Sequence, residues 1–360
     1  MRYSTHVMIK NREISISNPT YFIADVAANH DGDLGRAKDL IYRAKDAGLD
    51  AVKFQHFTAN KIVSDRGFKM LGGPLSHQAG WNKSVFEIYR QYECDRNWSQ
   101  ELAETANKAD IHFFTSPYDD EALNLLDRYM PAYKIGSGDI TYTGFISHIA
   151  KLGKPTLLAT GASTFEDVER AVETILTHNR QIVLMQCNTN YTGSLENFKH
   201  INLRVLQAYA IQYPGMVLGL SDHTPGHATV LGAIALGARV VEKHFTDDNS
   251  RIGPDHPFSL TPRAWTELIE RSRELENALG NGVKRVEENE IDTFVVQRRC
   301  LRLVRPMHAG ELLQNEDLES LRPAPMHSYP PYRIDQLVGK QLAKDKEAGD
   351  ALMAGDFGEN

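Results

Sequence analysis

From residue 21 onward, short apolar runs alternate with longer stretches in which apolar residues recur every three or four positions. The first pattern is that of buried parallel strands, and the second is that of amphipathic helices laid against them. Eight runs read as strands, at 21–27, 51–54, 111–115, 133–135, 156–159, 182–187, 217–220 and 239–241. Helical periodicity fills the intervals at 33–47, 97–109, 119–128, 164–177, 203–213 and 227–236, and a last helix follows at 262–279. Ser163 with Glu166 three residues on, and Thr261 before Pro262, are helix-start signals. Gly48 and Gly237 sit where helices should stop. Eight strand–helix units in about 260 residues predict a (β/α)8 TIM barrel. A doubly wound open sheet is the rival, but it would place a glycine-rich dinucleotide turn after its first strand. Here that strand runs into Ala28-Asn29-His30-Asp31-Gly32.

The pattern changes at both ends. Residues 7–16, with Asn11-Arg12 in the middle, read as a hairpin capping the barrel floor. Periodicity ceases near Gly280-Asn281-Gly282, so the barrel domain is assigned to 1–281 and a charged linker to 282–297. A small module is expected at 298–360, with a strand over 300–304, a turn at 306–310, a capped single turn at 314–318 and a proline-rich stretch at 321–331. So short a unit must lean on the barrel or on a second chain.

Composition narrows the class. Of 360 residues, 41% are hydrophobic and 24% charged, which suits a sizeable globular core. The net charge of -7 and the lack of a basic run argue against a nucleic-acid partner. No apolar run approaches the roughly 18 residues of a membrane span. The start lacks a signal peptide's apolar core, and Cys94, Cys187 and Cys300 are too few and too scattered for a disulfide framework. The expectation is a cytoplasmic enzyme without a membrane partner; Asn82-Lys83-Ser84 matches a glycosylation sequon without the secretion that would give it meaning.

In a barrel, chemistry gathers where the strands end. The first strand delivers Asp25 and Asn29-His30; the second, Lys53 and Gln55; the third, Thr115-Ser116. Lys134 and Gly136-Ser137-Gly138-Asp139 follow on the fourth, Thr160-Gly161 on the fifth, and Asn188-Thr189-Asn190-Tyr191 on the sixth. The last two end in Ser221/His223 and His244, with an acidic loop, Gly253-Pro254-Asp255-His256, just beyond. Two histidines at neighbouring strand ends point to a divalent-metal site. Since two imidazoles are thin coordination for zinc, Mn2+ or Mg2+ completed by waters and substrate oxygens fits better. Lys53 and Lys134 interrupt apolar strands, where a lysine would otherwise be buried unpaired. With nearby hydroxyls and a Gly-Ser-Gly turn they suit an anionic group, most naturally phosphate. Asp222 could support His223 or merely cap. Trp81, Trp98 and Trp265 read as packing residues, and His56, His77, His112, His178 and His200 as histidines without a catalytic role.

The segments IADVAANHDGDLGRAKDLI, DAVKFQHF, FFTSPYD, YKIGSGD, LSDHT, VEKHFT and GPDHPFSL, in this order, resemble the sialic acid synthase family. GELLQNEDLESLRP and LVGK resemble its C-terminal SAF (antifreeze-like) domain, so the likeness spans essentially the whole chain. The resemblance implies a barrel that condenses phosphoenolpyruvate with the open-chain aldehyde of an N-acylated hexosamine such as N-acetylmannosamine, releasing phosphate. It implies His223 and His244 as metal ligands. It also implies Lys53 and Lys134 as phosphoenolpyruvate-binding lysines, with Ser116, Ser137, Ser221 and Thr189 around them. Gln55, Tyr191 and Asp255 fall where the family contacts the sugar. Arg322 matches an arginine that enters the neighbouring subunit's site in a domain-swapped homodimer. Asp25 is the candidate for orienting the attacking water, also near the sugar, with Asp139 as a second acid; the family usually has glutamate at both. Other departures are Ala159 where many members have serine, the strand-six run Cys187-Asn188-Thr189-Asn190-Tyr191-Thr192, and a tail without the usual glycine-rich stretch after Arg322-Pro323. Two readings compete: a Schiff-base aldolase with Lys134 as nucleophile, and a non-catalytic carbohydrate- or ice-binding protein.

Overall fold

The computed structural model describes residues 2–72 and 75–358, so that residue 1 and the last two positions of the expected C-terminal module lie outside the described residues. Two strands, β1 (His6–Ile9) and β2 (Arg12–Ser15), form an antiparallel hairpin. Val7, Ile9 and Ile14 are fully buried. Met8 N donates to Gln181 Oε1 ahead of one barrel strand, and Arg239 Nε to Ile16 O at the start of another. The hairpin therefore closes the N-terminal end of the barrel, as its position in the sequence predicts.

Eight parallel strands close into the barrel: β3 (Tyr21–Asp25), β4 (Ala51–His56), β5 (His112–Pro117), β6 (Tyr133–Ile135), β7 (Thr156–Ala159), β8 (Ile182–Cys187), β9 (Val217–Asp222) and β10 (Ala238–His244), with β10 pairing β3. Their residues are buried on both faces, because side chains fill the interior on one side and helices cover the other. Gly219 of β9 has no room for a side chain, since a Cβ would lie 2.8 Å from Val240 O and 2.9 Å from Met185 Cγ.

Each of the eight expected strands is present, but several run further toward the C-terminal end. The largest extension is β10, expected at 239–241, which continues through Glu242, Lys243 and His244. Those polar residues stay in the sheet because each finds a use on its own face of the strand. The helix Thr143–Lys151 has no counterpart in the expected set, and the connection from β4 to β5 carries three short helices, Ala59–Ile62, Asp65–Met70 and Val85–Gln91, before Ser99–Lys108.

The chain divides into two compact units, Met1–Gly280 and Asn281–Asn360. The second pairs β11 (Cys300–Leu303) with β12 (Leu318–Leu321) around Leu301, Leu303, Met307, Leu313, Leu337, Leu342 and Leu352. Its buried Asp356 is neutralised by Lys344 and Lys346. A short helix, Ile291–Gln297, occupies part of the stretch read as linker. Among the described residues, no helix is long and apolar enough to cross a membrane.

Candidate active site

At the C-terminal ends of the barrel strands lies a cavity of about 460 Å³. It is lined by thirteen of the fourteen residues singled out from sequence: Asp25, Lys53, Gln55, Ser116, Lys134, Ser137, Asp139, Thr189, Tyr191, Ser221, His223, His244 and Asp255. The fourteenth, Arg322, follows β12 in the second unit and is exposed there.

At the cavity floor both lysines are buried, and carboxylates of the chain itself supply their partners. Lys53 Nζ lies 2.8 Å from Asp25 Oδ2 and 3.2 Å from Glu242 Oε1, while Lys134 Nζ lies 2.9 Å from the same Glu242 oxygen. Ser221 Oγ donates to that oxygen at 3.3 Å. Glu242, given no role in the sequence reading, is thus the hub of the floor. The signal was present: in a strand, residues two apart share a face, so the histidine at 244 carries Glu242 into the cavity with it. Burial works against the Glu242 charge, but the two ammonium groups hold its carboxyl low, at about 2. Burial likewise works against the Lys53 proton, and Asp25 and Glu242 outweigh it.

Several polar atoms here are buried without a hydrogen-bond partner: Ser116 Oγ, Thr189 Oγ1, Glu242 Oε2 and His244 Nδ1. Buried polar groups are almost always satisfied, so a cluster of unsatisfied ones facing one hollow marks where a polar ligand sits. Gly161 makes the hollow possible. Its N–H donates to Ser137 Oγ at 2.9 Å, and a Cβ there would fall 2.0 Å from Thr189 Oγ1.

Above the floor, the rings of His223 and His244 are 5.4 Å apart. His223 Nδ1 is 3.0 Å from Asn188 O; donating its proton there leaves the Nε2 lone pair free, as in metal-ligating histidines. His244 lies 3.8 Å from Asp25 Oδ2 on one side and 3.8 Å from Asp255 Oδ2 on the other. Burial lowers the His244 pKa and favours the neutral, ligating form. Burial also lowers that of His223, but the Cys187 thiol and the Asn188 carbonyl outweigh it, so a cation there must compete with a proton. Among the described residues, no three His, Cys, Asp or Glu side chains are grouped closely enough to hold an ion by themselves. Two imidazoles with carboxylates beside them are a mixed nitrogen–oxygen set, which fits a divalent ion completed by water and substrate oxygens.

Asp222 turns the other way. It is ion-paired with Lys243 and accepts from Thr224 N, Thr224 Oγ1 and Thr229 Oγ1, while Lys243 also donates to Thr224 O. With both side chains 1% exposed, this pair ties the ends of β9 and β10 together behind the two histidines.

The outer wall is aromatic. Tyr191 packs 4.2 Å from the His223 ring and 4.8 Å from that of His77, which meets Trp81 at 5.6 Å. Trp81 therefore lines the cavity, contrary to the packing role expected of it, and His77 lines it beside Trp81. Gln55 Nε2 donates to Asp25 Oδ2 at 3.0 Å, and Ala28 N donates to Asp255 Oδ2 at 3.0 Å. Asp139 is half-buried, and burial alone pushes its carboxyl up to about 6. His56, bonded to Thr115, and His112, bonded to Tyr21, lie outside the cavity lining.

A family model described as NeuB matches residues 40–284, and one for the SAF domain matches 298–358. The chain is 32% identical over 362 aligned residues to the N,N'-diacetyllegionaminic acid synthase of Legionella pneumophila, covering 96% of this chain and 98% of that one. It is 30% identical over 343 residues to the human N-acetylneuraminate-9-phosphate synthase, covering 95% and 94%. Among solved structures, the N-acetylneuraminic acid synthetase of Leptospira borgpetersenii serovar Hardjo-bovis superposes with a TM-score of 0.70 at 27% identity, covering 81% of this chain and 95% of that one.

Proposed function

Since this chain belongs to the NeuB family, we propose that it condenses phosphoenolpyruvate with the open-chain aldehyde of an N-acylated hexosamine, giving a sialic acid-type nonulosonic acid and inorganic phosphate. The observation that carries the reading is the hollow at the barrel floor, where Ser116 Oγ, Thr189 Oγ1 and Glu242 Oε2 are buried and unsatisfied around two lysines. Lys53 and Lys134, with Ser116, Ser137, Thr189 and Ser221, hold the phosphate and carboxylate of phosphoenolpyruvate. Glu242 pairs with both lysines and aligns them before that anion arrives, so little reorganisation is needed when it binds.

His223 and His244 would hold Mn2+ or Mg2+, which when bound polarises the sugar's aldehyde oxygen. The enol carbon C3 attacks the aldehyde carbon, forming the new C–C bond as the carbonyl π pair moves onto the aldehyde oxygen, which takes up a proton to become a hydroxyl, and leaving positive charge at C2. Asp25, fixed by Lys53 and Gln55, orients a water toward C2 and takes its proton. The C2 hydroxyl then gives up its proton to the departing phosphate and becomes the carbonyl as the C2–O bond to phosphate breaks, with the lysines stabilising the departing charge. Asp139 is the second acid, on the β6 side of the cavity, and Gln55, Tyr191 and Asp255 contact the sugar. Arg322 reaches the sugar of a neighbouring copy in a homodimer.

A Schiff-base aldolase needs a free amine, whereas the Lys134 ammonium is ion-paired with Glu242. A non-catalytic binder would not keep so many reactive groups in one hollow. The test is phosphate release from phosphoenolpyruvate over a panel of N-acylated hexosamines, before and after chelation. Release that stops with EDTA and returns with Mn2+ or Mg2+ is expected. Release insensitive to chelation removes the metal, and no release with any sugar removes the condensation. His223→Ala and His244→Ala should each lower turnover by at least about a hundredfold with the melting temperature unchanged, read by phosphate release and thermal unfolding.

A further inference from the structure

His256 is fully buried at the head of the turn His256–Phe258, yet it lies outside the cavity lining. Both nitrogens of its ring are engaged. Nε2 donates to Asp31 Oδ1 at 2.9 Å, and Nδ1 lies 2.7 Å from Thr246 Oγ1. Asp31 belongs to the turn between β3 and the helix that begins at Leu34, whereas Thr246 and His256 belong to the loop after β10. The other Asp31 oxygen meets Arg36 Nε at 3.1 Å and Arg251 Nε at 3.0 Å. Arg36 then returns to the loop through two bonds to Asp247, at 2.8 and 2.5 Å. Packing around the ring is as close as the bonding, since a Cβ on Gly253 would fall 2.7 Å from His256 Cδ2.

What this network restrains is a strained turn. Ala27 and Asp31 have φ of +45° and +54°, in the left-handed region that residues with a Cβ enter only when their surroundings hold them there. The turn presents two main-chain N–H groups to carboxylates of the site. Ala27 N donates to Asp25 Oδ1 at 3.1 Å, and Ala28 N to Asp255 Oδ2 at 3.0 Å. Asp25 has Lys53 and Gln55 as further partners. Among the described residues, the Asp255 carboxylate accepts no hydrogen bond besides that of Ala28. Its place in the cavity therefore depends on how the turn and the loop sit against each other. Asn29 Nδ2 and Ser259 Oγ make a second tie between the two segments at 2.9 Å, but Ser259 reaches only the main-chain oxygen of Asp255.

Resting on the condensation proposed above, we infer that His256 and Asp31 are a positioning pair, which locks the turn after β3 to the loop after β10 and so holds the Asp255 carboxylate in place for its sugar contact. Neither residue lines the cavity. Without the pair, the left-handed residues relax toward ordinary φ values, Ala28 N turns away, and Asp255 loses its one anchor. Asp25 keeps Lys53 and Gln55, and the two lysines keep Glu242, so the handling of phosphoenolpyruvate is unaffected.

The test is steady-state phosphate release by the metal-loaded full-length protein, with phosphoenolpyruvate and then the sugar varied. Each sugar of the panel that wild type turns over is used, N-acetylmannosamine first. His256→Ala should raise the sugar KM by about tenfold, with kcat within about threefold and the KM for phosphoenolpyruvate within about twofold. Since that change removes a buried ring, Asp31 is varied as a second route. Asp31→Asn keeps an oxygen for the His256 Nε2 proton and tolerates a left-handed φ, so its sugar KM should stay within about threefold of wild type. Asp31→Gly suits the backbone but removes the acceptor, and should repeat the pattern of His256→Ala. Combination with Asp255→Ala separates positioning from general damage: with Asp255 gone, His256→Ala should move the sugar KM by less than about twofold. An unchanged sugar KM in His256→Ala and Asp31→Gly, an equal loss in phosphoenolpyruvate affinity or kcat, or a loss that multiplies with that of Asp255→Ala overturns this inference alone. Absence of phosphate release by wild type with every sugar overturns the condensation and this inference together.

Discussion

Glu242 Oε1 is shared by two buried ammonium groups and Ser221, while its Oε2 has no hydrogen-bond partner. Removing the charge by Glu242→Gln leaves Lys134 without its partner, and breaking a buried ion pair this way costs about 3 kcal/mol. The variant should therefore unfold at lower temperature than the wild type. Added phosphoenolpyruvate should recover more of that loss in the variant, because its anion supplies the missing countercharge. Thermal unfolding with and without the ligand checks this; an equal ligand shift in both proteins would remove Glu242 as the organiser of the floor. Asp139 presents the opposite case. Its carboxyl is raised to about 6 by burial, above its unfolded value, so the ionised form carries a penalty in the folded state at neutral pH. That penalty is full above pH 6 and disappears as pH falls through 6 toward 4. Asp139→Asn should stabilise the protein at pH 8 by about 2 kcal/mol and not at all near pH 4, while turnover falls by about a hundredfold. Denaturant unfolding at the two pH values, alongside phosphate release, reads both. Residue types at strand ends made most of the cavity legible in sequence, but Glu242 was hidden because Glu242-Lys243-His244 reads as a polar run. Only the strand's alternation separates Glu242 and His244, facing in, from Lys243, facing out.

That alternation is a property of the element. β10 was expected to stop at Val241 because polar residues follow, yet the strand continues, with Glu242 opposite Ser221 and Lys243 opposite Asp222 in β9. The outward pair forms a buried clamp between the two strands that carry the histidines. Lys243→Met leaves Asp222 charged and buried and should cost about 3 kcal/mol. The double variant with Asp222→Leu should recover most of this, since neither charge is then stranded. A double-mutant cycle by thermal unfolding measures the coupling, and additive losses would show that the pair is not acting as one unit. The elements absent from the expected set have physical reasons too. Thr143–Lys151 begins after Tyr142 without a side-chain cap and has a glycine at its second position, so it lacks a start signal. The helices of the β4–β5 excursion are four to seven residues long, too short to display a 3.6-residue period. Trp81 reads as a packing residue for that reason, since nothing local in the sequence reveals that this excursion walls a cavity.

At the scale of the whole molecule, the eightfold repeat of strand and helix specified the barrel, because each unit buries a strand on both faces and a helix on one. The second unit was legible as a separate body, with its strand, turn and capped single turn, since its leucines mark a core of its own. The role proposed for Arg322 joins two chains, and no pattern within one sequence displays such a pairing. The domain-swapped homodimer proposed here makes a prediction that a self-contained monomer does not. Arg322→Ala and His223→Ala should each be nearly inactive alone, one through a sugar KM raised by tenfold or more, roughly the cost of one lost charged contact, the other through loss of a metal ligand. In a swapped dimer the site combines His223 of one copy with Arg322 of the other. When the two variants are co-expressed, each mixed dimer has one site with both defects and one with neither. Random pairing makes half of the dimers mixed, so about a quarter of wild-type activity should return. If Arg322 acted within its own chain, every site would keep one defect and the mixture would stay inactive. Recovery, measured as phosphate release at low sugar concentration, therefore separates the two arrangements without a structure of the assembly.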